Sequence, residues 1–179
     1  MTRPKAGTVC ETARTRLRTF SHDDLDALAE MVADQEQMTF YPRPKTRDEA
    51  YAWIERNQLL YREHGFRILA IESIVAGFLG YCGIRPLTIE KVEEIEMGWH
   101  TRRHCWGRGI ATEAALACRD LAFTRFGIER LVATIDPTHT ASLRVADKIG
   151  MSWERQAVLA DWPCVVYAIE HFTRRADMA

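Results

Sequence analysis

The sequence predicts a mixed α/β fold: a mostly antiparallel central sheet with one parallel β-α-β crossover and helices on both faces. Three observations carry this. Strand-like and helix-like stretches interleave in the order β-α-α-β-β-β-α-β-α-β-β. The three central strands follow one another across short turns, as in an antiparallel meander. A glycine-spaced basic loop, His104-Cys105-Trp106-Gly107-Arg108-Gly109, then runs from a strand straight into an apolar-periodic helix. Returning from that helix to the sheet demands a parallel crossover.

Each element has a local cause. Residues 1–11 read as a loose leader. Arg14 to Phe20 alternates and predicts a strand. Ser21 caps a helix whose first turn holds Asp23 and Asp24, with Leu25, Leu28, Ala29 and Val32 at helical spacing. Tyr41-Pro42-Arg43-Pro44 predicts an extended loop. Thr46-Arg47-Asp48-Glu49 is a capping box, opening a helix that runs to about His64 and stops at Gly65. Strands follow at Phe66 to Glu72, Val75 to Ile84 (stopped by Arg85-Pro86) and Glu93 to Thr101. The helix after the glycines runs from about Gly109 to Phe126, with Ala111, Ala114, Ala115, Ala117, Cys118 and Ala122 forming a small-residue face for close packing. Leu131 to Ile135 is a strand, Thr140 to Ile149 a helix, and Trp153 to Leu159 and Val165 to His171 a closing pair around Asp161-Trp162-Pro163. The domain expected is single, 12–172, with a tail at 173–179.

Composition narrows the class. A chain of 179 residues with 47% hydrophobic and 27% charged residues is of single-domain size and ordinary globular make-up. A net charge of −1 argues against a protein that coats nucleic acid. No apolar run is long enough to span a membrane. The five cysteines, Cys10, Cys82, Cys105, Cys118 and Cys164, are scattered and contain no Cys-x-x-Cys pair. They read as reduced thiols, implying a cytoplasmic protein. His100, His104 and Cys105 lack regular ligand spacing, so no metal is expected.

The glycine loop is where chemistry is expected. Gly107 and Gly109 allow a tight turn and close ligand approach. The first-turn N–H groups of the helix have no intrahelical partner, and the helix dipole adds positive potential. Such a terminus receives phosphates, and Arg102, Arg103 and Arg108 add formal charge nearby.

Three segments together resemble the GNAT superfamily of acetyl-CoA-dependent N-acetyltransferases, in its RimL/RimJ branch. They are Glu96-Met97-Gly98-Trp99; Trp106-Gly107-Arg108-Gly109-Ile110-Ala111-Thr112-Glu113-Ala114; and Asp136-Pro137-Thr138-His139-Thr140-Ala141-Ser142 with Lys148-Ile149-Gly150-Met151. The resemblance covers roughly residues 12–172. It implies a fold of this class and acetyl-CoA as cosubstrate, without a metal. It implies transfer of the acetyl group to a primary amine, either a protein N-terminal α-amine or a small amine, by direct attack in a ternary complex. A homodimer is common in that branch. A catalytically silent acyl-CoA-binding sensor or scaffold on the same fold is the competing reading.

By the same resemblance, the N–H groups of Gly107, Arg108, Gly109, Ile110, Ala111 and Thr112 cradle the pyrophosphate. The pantetheine arm lies along Met97, Gly98 and Trp99. Acetyl transfer needs a neutral amine, so a carboxylate that removes its proton is useful. Glu96 is the first candidate for that base, and Glu94, of the same strand parity, is the second. The place where many relatives carry an acidic tyrosine falls at Ala146. Ser142, one turn earlier on the same helix face, is the candidate beside the cofactor's sulfur. His139 replaces the branch's usual asparagine and is a further cofactor contact. Tyr41, Arg43, Asp161 and Trp162, in expected loops, are candidates for the acceptor pocket.

Overall fold

Helix ends form where the sequence supplies caps. Ser21 accepts from the Asp23 N–H while the Asp24 carboxylate accepts from the Ser21 N–H, closing a single 3₁₀ turn that leads into α1 (Leu25–Ala33). Thr46 and Glu49 make the same reciprocal pair at the start of α2 (Arg47–His64), and Gly65, at φ 77°, ends it. The structure, a computed structural model, describes residues 7–73 and 75–171. The remaining elements are β1 (Thr8–Glu11), β2 (Thr15–Arg18), β3 (Ile68–Ser73), β4 (Gly77–Ile89), β5 (Val92–Thr101), α3 (Ile110–Thr124), β6 (Arg130–Ile135), α4 (Thr140–Lys148), β7 (Ser152–Leu159) and β8 (Trp162–Glu170). The expected tail at 173–179 lies outside the described residues.

The strands form one eight-stranded sheet in the order β1-β2-β3-β4-β5-β6-β8-β7. Every neighbouring pair is antiparallel except β5 and β6, which are parallel across the α3 crossover. Helices cover both faces, as the order of elements requires. On one face, Ala114, Ala115, Cys118 and Ala122 of α3, Ala146 of α4 and Ile149 just after it pack with Leu69, Ile71, Ile84, Met97 and Leu131. On the other, Leu28, Met31 and Ile54 of α1 and α2 pack with Ile68, Ala70 and Phe78. Among the described residues no helix is long and apolar enough to cross a membrane.

Three expectations are corrected. Thr8–Glu11, read as part of a loose leader, is an edge strand paired with β2. Arg85-Pro86 does not stop β4, which continues to Ile89. The pairing of β3 with β4 reaches only to Gly83, so Pro86 has a partner strand on one side alone, where a missing N–H is tolerated. The final hairpin turns at Ala160 and Asp161, both at positive φ, so Trp162 and Pro163 begin β8 instead of lying in a loop.

Gly83 marks a tight strand approach at ordinary backbone φ. A Cβ there would stand 2.4 Å from the Ile68 Cα and 2.6 Å from the Arg67 carbonyl oxygen. Backbone cannot yield as a flexible side chain can, so Gly83→Ala is expected to cost about 1–3 kcal/mol. Urea unfolding measures this, and an unchanged midpoint would contradict the packing described.

Candidate functional site

The site begins where β5 and β6 part. They pair at one register point, Glu96 with Val132. Beyond it β5 runs on to Thr101 bonded only to β4, and β6 runs to Ile135 bonded only to β8. The edge of Met97–Thr101 that faces β6 is therefore a row of backbone donors and acceptors without a strand beside it. Gly98 opens the space further, since a Cβ on it would meet nothing within 4 Å.

The same strand delivers the glycine loop. Gly107 (φ 71°) and Gly109 (φ 75°) adopt left-handed conformations, and Gly109 is the N-cap of α3 without a side-chain cap. The N–H groups of Ile110, Ala111 and Thr112 thus open the helix without side-chain acceptors. The loop is braced from the chain's other end. Arg14 donates to the Arg108 carbonyl (2.8 Å) and to Glu113 (2.6 Å), and the Thr12 hydroxyl donates to Glu113 (2.6 Å). Trp106 anchors the turn by donating its Nε1–H to the Thr101 carbonyl (2.9 Å). Of the arginines expected here, Arg102 is taken by Glu30 and Arg103 by Glu36, whereas Arg108 makes no ion pair among the described residues. Its exposed side chain stands free beside the loop.

Glu96 is buried on the α1/α2 face of the sheet. Its Oε2 accepts from Arg85 Nε (2.6 Å) and its Oε1 from the Thr134 hydroxyl. Each carboxylate oxygen keeps one lone pair free. Further along this face, His100 Nδ1 is 3.2 Å from the Tyr81 hydroxyl, which is 3.3 Å from the Tyr41 hydroxyl. The Tyr41 and His100 rings stack at 5.2 Å. Burial draws the His100 imidazole down to about 4, against the opposing effect of the Gln37 carbonyl to which it donates. His100 is therefore neutral at pH 7, and Nδ1 is the acceptor for Tyr81. Burial also raises Tyr41 and Tyr81, keeping both phenols protonated. The connection between α1 and α2 carries Gln37, Phe40 and Tyr41, and so it is tied down over the parted strands.

The other expected residues fall around this opening. Met97 and Trp99 point to the α3 face, Gly98 to the Glu96 face. His139 occupies the N-cap place of α4 but makes no side-chain cap; its ring stacks on Phe40 with centroids 3.8 Å apart. Burial lowers its pKa, against the nearby Asp136. Ser142 lies in the first turn of α4, half-buried, its hydroxyl without a protein partner among the described residues. Ala146 is fully buried. Glu94 is held by Arg130 (3.2 Å) at the opposite end of β5, beside a cavity of about 750 Å³ that Pro86, Glu93 and Gly127 also line. Trp162 donates to Asp136 (3.2 Å), Arg43 pairs with Glu49, and Asp161 sits in the β7–β8 turn. Of the expected acceptor-side set, Tyr41 stands in the cluster around Glu96.

Arg85, Tyr81 and Thr134 are neighbours of Glu96 that sequence reasoning missed, and Arg67 lies within electrostatic reach of Arg85. Tyr81 and Arg85 share strand parity, the one available signal. Their partners follow only from the register Tyr81↔His100 and Arg85↔Glu96. Three side-chain atoms among the described residues are buried without a partner: Asn57 Oδ1, Arg67 Nε and Trp99 Nε1. No group of three His, Cys, Asp or Glu side chains among them is placed to hold a metal ion. All five cysteines are free.

A sheet split at its parallel crossover, opening onto an uncapped helix start, suits a phosphate-bearing cosubstrate. Residues 14–152 match the family model described as acetyltransferase (GNAT) domain, and the chain belongs to the GNAT acetyltransferases, the acetyl-CoA-dependent acyltransferases of this fold. It is 36% identical over 164 residues to the uncharacterized protein YkkB of Bacillus subtilis, covering 90% of this chain and 95% of that one. It is 30% identical to the uncharacterized N-acetyltransferase YnaD of the same organism, covering 80% and 82%. Among solved structures it resembles an acetyltransferase from Agrobacterium tumefaciens, with TM-score 0.79, 26% identity and 90% and 94% coverage. A RimL ribosomal L7/L12 α-N-protein acetyltransferase in complex with coenzyme A shares the fold at TM-score 0.76 and 17% identity, covering 92% and 98%.

The neutral His100 has a consequence for stability. Its folded pKa lies below the ordinary 6.5, so between pH 6.5 and 4 the unfolded chain binds a proton that the folded chain refuses. Stability is intact above that window and falls as pH drops through it, by up to about 3 kcal/mol for one such group. In urea unfolding, the stability difference between wild type and His100→Gln is expected to shrink from pH 7 to pH 4.5. A difference independent of pH would refute the assignment.

Proposed function

We propose that this protein transfers the acetyl group of acetyl-CoA to a primary amine by direct attack within a ternary complex, the acceptor being a protein α-amine or a small amine. The observation that carries this is the position of Glu96. It stands where β5 and β6 part, next to the open Gly98, on the strand that leads into the Gly107–Gly109 turn. The residues fit the cosubstrate. Gly98 and Gly107 have open space at their Cβ positions, the first turn of α3 offers uncommitted N–H groups, and the Trp99 indole N–H lacks a partner. Bound acetyl-CoA supplies the thioester.

In this reading the N–H groups from Gly107 to Thr112, including those of Arg108, Gly109, Ile110 and Ala111, hold the pyrophosphate, with the Arg108 side chain adding charge. Backbone groups of Met97, Gly98 and Trp99 hold the pantetheine arm like an added strand. The Glu96 carboxylate attracts the ammonium form of the acceptor and takes its proton. Arg85 and Thr134 fix the direction of its free lone pairs. Ser142 stands where a hydroxyl can donate to the departing thiolate, and a thiolate also leaves unaided more readily than an alkoxide. His139, stacked on Phe40, forms the rim. The likeness of the motif segments to the RimL/RimJ branch supports an acceptor of that kind, and five free thiols suit a cytoplasmic enzyme.

Release of free coenzyme A from acetyl-CoA, followed across a panel of peptides, amino acids and polyamines, tests the reading. Turnover with at least one amine is expected. Glu96→Gln should lower kcat/KM by about 10²–10⁴-fold. Full activity of that variant at every pH would remove Glu96 as the base. Tight acetyl-CoA binding with no turnover across the panel would favour a silent sensor instead.

A further inference from the structure

Arg85 pairs with Glu96 on the α1/α2 face, and Arg67 lies within electrostatic reach of Arg85 and of Arg56 on α2. Arg85 gives only its Nε–H to Glu96; its side chain is 41% exposed, and its two terminal nitrogens have no partner among the described residues. Arg67 immediately precedes β3, and its backbone passes close over Gly83. Ile68, Gly83 and Gly98 stand in register across three strands, and the Arg67 carbonyl lies 2.6 Å from where a Gly83 Cβ would be. Arg67 Nε is buried with no hydrogen-bond partner, and no carboxylate pairs with Arg67 among the described residues. Arg56, on α2, makes no ion pair there either. Burial, together with the like charges of Arg85 and Arg56, lowers the Arg67 pKa.

This arrangement costs stability in the isolated protein. A buried donor without an acceptor forfeits its hydration, and like charges repel at short range. The chain has 25 Asp and Glu residues and spends many of them on other arginines, yet among the described residues Glu96 pairs with Arg85 alone, and neither Arg67 nor Arg56 has a carboxylate. The missing component is an acceptor-only, negatively charged group. A guanidinium fork suits a carboxylate best, since two parallel N–H groups match its two oxygens.

We propose that the acceptor amine carries a carboxylate of its own, received by Arg67 with the free nitrogens of Arg85 and the charge of Arg56, while Glu96 receives the amine. This rests on the transferase reading above. The two charged ends of the acceptor then meet complementary groups a few side chains apart. A polyamine instead sets cations against arginines and is rejected by repulsion. Two sources share the chemistry: a free amino acid, and a protein N-terminus that begins with an acidic residue.

The test compares acceptors that differ in charge at nearly constant shape. L-glutamate, L-glutamine and L-glutaminamide form one series; Asp-Ala-Ala-amide and Asn-Ala-Ala-amide form the other; spermidine is the polycation. In each series the carboxylate-bearing member is expected to exceed its amide in kcat/KM by about tenfold or more. The series with the larger absolute kcat/KM identifies the source. Arg67→Gln should collapse the acid-to-amide ratio toward one through the acceptor KM, with the acetyl-CoA KM unmoved, and Arg67→Lys should recover part of it. Equal acids and amides, faster spermidine, or an unchanged ratio in Arg67→Gln would overturn the proposal while leaving the transferase intact. Calorimetric titration of L-glutamate, with and without coenzyme A, separates the remaining cases. Arg67-dependent binding without turnover supports the anion site and overturns the transferase reading; no binding and no turnover overturns both.

Discussion

Two parallel strands that touch at one register point and then diverge cannot satisfy each other's backbone. That is the condition on which the rest of this molecule depends. Because β5 and β6 meet only at Glu96 and Val132, the sheet's middle carries unpaired polar groups that a continuous sheet would have consumed. Its two halves are otherwise fully zipped, β1 to β5 on one side and β6, β8 and β7 on the other. The helices hold this division in place. The small-residue face of α3 lies on the half that holds β2, β4 and β5, and α4 packs against β6 of the other, while α1 and α2 cover only the first half, leaving the seam accessible from their side.

Electrostatics divides the two faces of that seam as well. Toward the glycine loop, positive character comes from backbone geometry, with two of the nearby arginines already neutralised by Glu30 and Glu36. Toward α2, positive character comes from side chains of which only Arg85 has a carboxylate partner among the described residues, Glu96. Between them lie a fixed carboxylate and a neutral histidine joined to two protonated phenols. A low-dielectric surrounding strengthens each of these interactions and penalises any that is left incomplete.

What could be read from the chain was what depends on neighbours in sequence. Ser21 and Thr46 as caps, Gly65 as a stop, and Gly107 and Gly109 as a turn into a helix are all decided within a few residues. Glu96 and Gly98 share strand parity, so their common face was readable too. Beyond reach were features decided by register. Arg85 looked like the end of a strand, because nothing local says that β3 stops early and leaves Pro86 at an edge. Tyr81 and His100 lie 19 residues apart, and only the β4–β5 ladder joins them. Thr134 reaches Glu96 across the parallel pair, from a strand 38 residues away. The donor half of the candidate site was thus legible and the acceptor half was not: one is built along the chain, the other across it.

The brace on the glycine loop also bears on how the molecule assembles. Arg14 and Thr12 reach Glu113 and the Arg108 carbonyl across sequence separations of 94 to 101 residues. Contacts that distant carry a large loop-closure entropy and form slowly compared with the local turns of α3. The helix and its glycines can therefore be in place before the N-terminal strand docks against them. The glycine loop takes its final shape only when the beginning of the chain returns to its middle, which makes it a late product of folding, completed with the sheet's far edge.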